Sequence, residues 1–292
     1  MFLKIGILAF FCAVAFTAFD GSNLMPFAPL GVVGVQAAAG QVFFSYIGFD
    51  AASTAGEEAK NPRRDLPIAI LGSLLIVTII YLLVTLAALG AQGGEVVTVD
   101  GQQSYLWGDG NGEAVLATIV ADVTGSSWAP ALISLGAVIS IFSVVLTVMY
   151  GQTRILFAMG RDGLLPKAFT KVNPRTQTPV TNTIIVTVVI SVLAAFVPLG
   201  QLAEATSIGT LFAFLLVNIG VMVLRRSRPD LQRSFRTPFF PITPILGMLF
   251  CGYLLVGLAG ITWIVFGIWM TFGLAVYFLY GYRRSTLRLT GK

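Results

Sequence analysis

Histidine is absent from the 292 residues, and charge is scarce: 18 Lys and Arg with 13 Asp and Glu make up 11% of the chain. Without histidine there is no His-ligated zinc or haem, and no His-based catalytic dyad or triad. Soluble domains carry about 25% charged residues because a solvated surface needs them. A chain of 31.1 kDa at less than half that density cannot clothe a globule in polar groups. Cysteine is scarce too. Cys12 and Cys251 both lie inside apolar runs, where they read as small core or lipid-facing residues rather than a disulfide or thiolate site. An intramembrane aspartyl protease would need two acids at bilayer depth, and only Asp50 is that deep. No nucleophile–base pair is visible, so no enzyme is expected, and nothing calls for a metal or a cofactor.

What is present is apolar: 56% hydrophobic residues and a mean hydropathy of +0.87. In lipid, every backbone polar group must be satisfied inside the chain, and long apolar runs satisfy it as helices. The expected fold class is therefore an all-α, polytopic membrane protein. A helix needs about 20 apolar residues to cross about 30 Å of hydrocarbon. That scale gives eight candidate spans, at residues 3–19, 32–55, 66–91, 128–156, 180–198, 204–224, 242–258 and 262–282. The last two are divided by length. Residues 245–282 carry no charge, yet one helix of that length would reach about 57 Å, so a tight turn is expected near residues 257–262. The first apolar stretch lacks a small-residue cleavage site and reads as a membrane segment rather than a cleaved leader.

A formal charge of +5 and a pI near 9.4 suggest nucleic acid until the basic residues are placed. They cluster around Lys60, Arg63 and Arg64, from Arg154 to Arg175, from Arg225 to Arg236, and after Arg283, at every second loop. The long segment from Gln92 to Ser127 holds five acids (Glu95, Asp100, Asp109, Glu113, Asp122) and no Lys or Arg. Basic residues stay on the cytoplasmic side. Eight spans then put both termini inside, with Lys4 opening the first span from the cytoplasm. The partner implied by the charge is the bilayer, not nucleic acid.

The second span is unlike the others. Its middle reads Phe44, Ser45, Tyr46, Ile47, Gly48, Phe49, Asp50, and a glycine among polar and acidic residues at that depth is costly in lipid. Two accounts fit. Either the helix is interrupted so that freed backbone groups line a cavity, or it continues with a kink where Gly48 meets a neighbouring helix. Asp50 favours the first, because a deep acid marks a functional site; it also fits as a cap of the following half-helix. Lys4 likewise has two accounts, snorkelling to the interface or titration as a proton carrier. The hydroxyls of Ser134, Ser140, Ser143 and Thr147 bond back to their helix, bridge helices, or line an ion site. Glu204 is expected to open the sixth span on the outer side, where an acid favours a helix N-terminus.

Three segments carry a family likeness: FFSYIGFDAASTAGEEAKNPRRDLPIAI (43–70), GQTRILFAMGRDGLLPKAF (151–169) and SIGTLFAFLLVNIGVMVLRRSRPDL (207–231). The chain resembles amino acid permeases of the amino acid–polyamine–organocation superfamily, in the cationic amino acid transporter branch, and the likeness covers essentially its whole length. The resemblance implies a five-plus-five inverted-repeat transporter whose first four helices are missing here. Residues 1–19 would be the last helix of the first repeat, 32–224 the second repeat, 242–282 two additional helices and 283–292 a cytoplasmic tail. It also implies that the carbonyls of Phe44, Ser45 and Ile47 receive a substrate ammonium, with Gly48 at the break and Tyr46, Phe49 and Asp50 around it. Lys4 resembles the lysine that replaces a sodium ion in proton-coupled members, Ser140 and Ser143 are grouped with it in proton coupling, and Ile141 would shape the side-chain pocket. The expected function is proton-coupled transport of an α-amino acid at the plasma membrane by alternating access. The rival expectation is a shortened, non-transporting permease acting as a scaffold or sensor. Nothing in the residues selects the amino acid, though the lack of a buried acid dedicated to a cationic side chain leans toward neutral substrates.

Overall fold

The computed structural model describes residues 2–25, 27–28, 30–49, 61–92, 96–99, 102–105, 114–175, 178–230 and 237–285. The helices are α1 (Phe2–Ala15), α2 (Gly31–Val42), α3 (Pro62–Gln92), α4 (Val115–Thr124), α5 (Trp128–Arg161), α6 (Val180–Phe196), α7 (Leu199–Ser227), α8 (Ile242–Val256) and α9 (Gly260–Val276). A short antiparallel hairpin, β1 (Val96–Val99) with β2 (Gln102–Tyr105), pairs Val96 with Tyr105. It is the one departure from an all-α chain among the described residues. Among the described residues, four segments are long and apolar enough to cross a membrane: Arg64–Gln92, Trp128–Arg161, Leu199–Ser227 and Gly260–Gly281. Leu3–Ala18, Val180–Phe196 and Ile242–Val256 are shorter apolar helices at three further expected spans. Their side chains face outward. Leu71, Leu75 and Leu82 of α3 are each more than half exposed, which is what a lipid-facing surface requires. The protein is an all-α polytopic membrane protein.

The chain divides into two compact units, residues 1–34 with 68–146, and residues 35–67 with 147–292. In the first, α1, α3, α4 and the start of α5 close around Phe11, Ala15, Ala87, Ala88, Ile119, Val120, Ala129 and Ile133. Four of these are alanines, which lets membrane helices approach closely. The end of α3 is capped by the chain after α1. Gly90 O accepts from Asp20 N at 2.8 Å and Asn23 Nδ2 at 2.9 Å. A Cβ on Gly90 would lie 2.0 Å from the Phe19 ring.

In the second unit, α7 packs on α8 and α9 over Ile208, Leu211, Leu255 and Leu258. The turn expected between the last two spans is present: α8 stops at Val256, and Ala259 is extended before α9 begins. Asn182, fully buried, donates to Phe169 O at 2.9 Å and fixes the start of α6 to the preceding 3-10 turn, Lys167–Thr170.

Two expectations need correcting. The acidic segment after α3 is not only loop: α4 lies in it and supplies Ile119 and Val120 to the core. At the sixth expected span, α7 begins at Leu199, directly after Pro198, so Glu204 stands in its second turn and does not open it. The second span, expected to be interrupted, is regular helix only as far as Val42; residues 50–60 lie outside the described residues.

Candidate functional site

The sequence Gly31–Val42 is small, apolar and helix-compatible, and its regular hydrogen-bond ladder ends at Val42. Phe43–Tyr46 tighten into a 3-10 turn, and Ile47 leaves it extended, with φ −65° and ψ 134°, its N–H returning to Phe44 O at 3.1 Å. Gly48 then takes φ +120°. Only glycine enters that region without strain, and nothing lies within 4 Å of where its Cβ would stand. Backbone conformation, not crowding, is therefore what requires Gly48. This selects the interrupted helix over the kinked continuous one. A helix that stops leaves its last carbonyls without their i+4 partners, and here that end follows Val42.

The surroundings hold the interruption in place. Phe214 of α7 packs its ring edge-on to Phe43 at 6.2 Å and against Phe49 at 5.4 Å. Upstream, α2 has two polar side chains, and both are tethers. Gln36 Nε2 donates to Tyr253 O at 2.6 Å, and Gln41 Nε2 donates to Glu204 Oε1 at 3.3 Å. The other Glu204 oxygen accepts from Thr262 Oγ1 on α9. Gly40 and Gly257 keep α2 close to α8: added Cβ atoms would meet Leu258 at 3.1 Å and Gln36 at 2.8 Å.

Phe44, Ser45, Tyr46, Ile47, Gly48 and Phe49 thus form one continuous turn in the second unit, and Asp50 lies outside the described residues. Lys4, Ser140, Ile141 and Ser143 belong to the first unit. Lys4 is half-buried in the first turn of α1, on the face that carries Ile7 and Phe11. Ser140 and Ser143 share the face of α5 that carries Ile133 and Gly136. These two faces meet where a Cβ at Gly136 would come within 2.0 Å of Ile7 Cδ1. Ile141 turns away from that stripe and is 63% exposed.

Gln41, Glu204, Thr262 and Phe214 escaped sequence reasoning because their contacts join residues far apart in the chain. The available signal was two amides in an otherwise apolar half-helix. The second unit also holds a cleft of ≈ 580 Å³ between α6, α7 and α9. It is apolar. Its Thr206 and Thr210 hydroxyls donate to their own helix, and Thr262 is taken by Glu204. Among the described residues, no three His, Cys, Asp or Glu side chains gather as a metal site.

Similarity to known proteins agrees with this architecture. A family model described as amino acid permease matches residues 1–279. The chain is 41% identical over 286 residues to the branched-chain amino acid permease BcaP of Bacillus subtilis, covering 98% of this chain and 58% of the relative. It is 38% identical over 285 residues to the methylthioribose transporter of the same organism, covering 98% and 59%. With the vacuolar cationic amino acid transporter 4 of Arabidopsis thaliana it shares 40% identity over 202 residues, 69% of this chain and 31% of that one. The chain thus spans just under three-fifths of the two bacterial relatives. It belongs to the amino acid permease family.

Proposed function

We propose that the chain carries the substrate-binding half-helix of a secondary transporter for a small, neutral α-amino acid. The observation that carries this reading is the interruption of the helix at Ile47–Gly48. Carbonyls of Phe44, Ser45 and Ile47 would receive the substrate ammonium, each retaining a lone pair even where a backbone N–H is accepted. Tyr46, Phe49 and Asp50 would surround it, and Ile141 would bound the side chain. The apolar cleft competes poorly as an amino acid site, because its threonine hydroxyls are already engaged. Branched-chain permease relatives favour an apolar side chain.

Transport is by alternating access and is driven by protons. Lys4 is the carrier, with Ser140 and Ser143 on the face that α5 turns toward α1. The domain limits follow the family repeat: residues 1–19, 32–224, 242–282, and a tail at 283–292. The basic loops put both termini in the cytoplasm of a plasma-membrane protein. A second reading is favoured by the 38% identity to a methylthioribose transporter: a neutral solute without an ammonium group. Uptake of labelled isoleucine, arginine and methylthioribose into proteoliposomes, with and without an inward proton gradient, separates these readings. Isoleucine uptake that rises with the gradient is expected. Methylthioribose uptake alone would overturn the amino acid assignment, gradient-independent uptake the coupling, and uptake of none of the three the transport reading in favour of a non-transporting permease.

A further inference from the structure

The second unit carries a basic excess that the transport reading leaves unused. Segments 154–175 and 225–230, with Arg284, hold nine Lys and Arg against two acids, Asp162 and Asp230. Arg161 Nε stands 3.6 Å from Asp162 Oδ1, but both side chains are more than half exposed, and an ion pair in water contributes little. Lys167, Lys171 and Arg226 pair with no carboxylate among the described residues.

Part of this charge is gathered at one junction. Helix α5 ends at Arg161, and Gly163 turns the chain with φ +78°. Its N–H returns to Gly160 O at 3.1 Å, and the N–H of Leu164 to Met159 O at 2.9 Å. This is a Schellman turn, which calls for a residue at ease in the left-handed conformation. The turn is pressed against the end of the last span: a Cβ on Gly163 would lie 2.2 Å from Arg284 O, and one on Gly281 would lie 3.3 Å from Leu164 O. Arg161, just before Gly163, and Lys167, just after it, therefore flank the contact with Arg284, and all three are exposed.

What borders the junction identifies its partner. Beyond α9 the helix widens into a π turn, Tyr277–Gly281, and closes with Tyr282–Arg284. Tyr277, Tyr280 and Tyr282 stand together there, and amphipathic rings of this kind gather where lipid meets water. Beside them Phe278 and Leu279 are 60% and 78% exposed, an apolar collar of the sort that marks contact with a membrane. Arg284 Cζ stands 4.7 Å from the Tyr280 ring centroid, and Arg284 Nη1 donates to Tyr280 Oη at 3.1 Å. A guanidinium has more N–H donors than that one bond uses, so the ring orients Arg284 and leaves it a fork for an anion. Cations beside an apolar collar fit a ligand that is anionic at one end and apolar at the other. A free phosphate or an acidic soluble protein would use the charge and leave the collar bare.

We propose that Arg161, Lys167 and Arg284 bind the phosphate of an anionic membrane phospholipid, whose acyl chains lie along the exposed side of Tyr277–Tyr282. The site does not depend on what the chain transports.

The test titrates the full chain, in micelles of a neutral detergent, with tail-labelled phosphatidylglycerol or phosphatidylcholine and reads the dissociation constants by fluorescence anisotropy. Each of the three cations contributes about fivefold, so phosphatidylglycerol is expected to bind about 100-fold more tightly. The preference should shrink as ionic strength rises from ~0.1 M to ~1 M. Arg161→Gln/Lys167→Gln/Arg284→Gln should abolish it. Arg225→Gln/Arg226→Gln/Arg228→Gln, which removes as much charge from the end of α7, should keep it within about threefold of wild type. Equal loss in the two triple variants would mean diffuse attraction and overturn the site, as would equal binding of both lipids by wild type. Inorganic phosphate in molar excess should leave the lipid in place; displacement would assign the site to a free anion instead. Should the first triple variant fail to fold, a phosphatidylglycerol with a photoreactive headgroup decides on wild type. Label concentrated on residues 161–171 and 277–285 is expected, and equal label on 225–230 would overturn the proposal.

Discussion

At the scale of single residues, two glycines set limits that no other residue meets. Gly48 holds φ +120° with open space around it, so alanine there fits sterically and strains only the backbone. Gly48→Ala is expected to cost about 1–3 kcal/mol at the break. Read as transport, it should raise the isoleucine KM more than it lowers the melting temperature in detergent; a lowered melting temperature with unchanged KM would separate the break from binding. Gly90 is the opposite case, with ordinary φ and the Phe19 ring 2.0 Å from its missing Cβ. Gly90→Ala should destabilise by about 1–3 kcal/mol through overpacking, read as a lower melting temperature, while Gly72→Ala, which meets nothing within 4 Å, should leave it nearly unchanged. The sequence announced Gly48 by its polar neighbours in an apolar run. Glu204 was misread because an acid near a helix start has a local explanation, whereas its partners Gln41 and Thr262 lie 163 and 58 positions away.

At the scale of elements, apolar periodicity marked the helices, and their ends were set by local chemistry that hydropathy does not see. Hydropathy placed the start of α7 at Glu204 because Gln201 and Glu204 are polar, but Pro198 starts the helix a turn earlier. The helix α4 was hidden by its setting. Five acids without a base describe an outer loop well, yet Val115, Leu116, Ile119, Val120 and Val123 recur at helical spacing within it. Ile119 and Val120 are fully buried against Phe11 and Ala15 of α1. Ile119→Ala is therefore expected to destabilise the first unit by about 2–5 kcal/mol, measured by denaturant unfolding in detergent. A change below about 0.5 kcal/mol would mean that α4 is a loosely attached loop after all.

For the whole molecule, composition alone decided the class, because the charge deficit follows from surface area and not from any one contact. Orientation rests on the basic loops and is open to a direct check. A cysteine at Ser126, in the acidic segment, should react with a membrane-impermeant maleimide on intact cells, whereas one at Ser227 should react only after permeabilisation; the reverse pattern would invert the topology. That the α1 face carrying Lys4 meets the α5 face carrying Ser140 and Ser143 was not legible, since the approach of Ile7 to Gly136 joins residues 129 positions apart.

The aromatic grip of Phe214 has a mechanical consequence. Dispersion between tilted rings varies gently as they slide, while a hydrogen bond of 3.3 Å is lost with a small further stretch. A displacement of the 43–49 segment would therefore break the Gln41–Glu204 hydrogen bond before it parted Phe214 from Phe43 and Phe49.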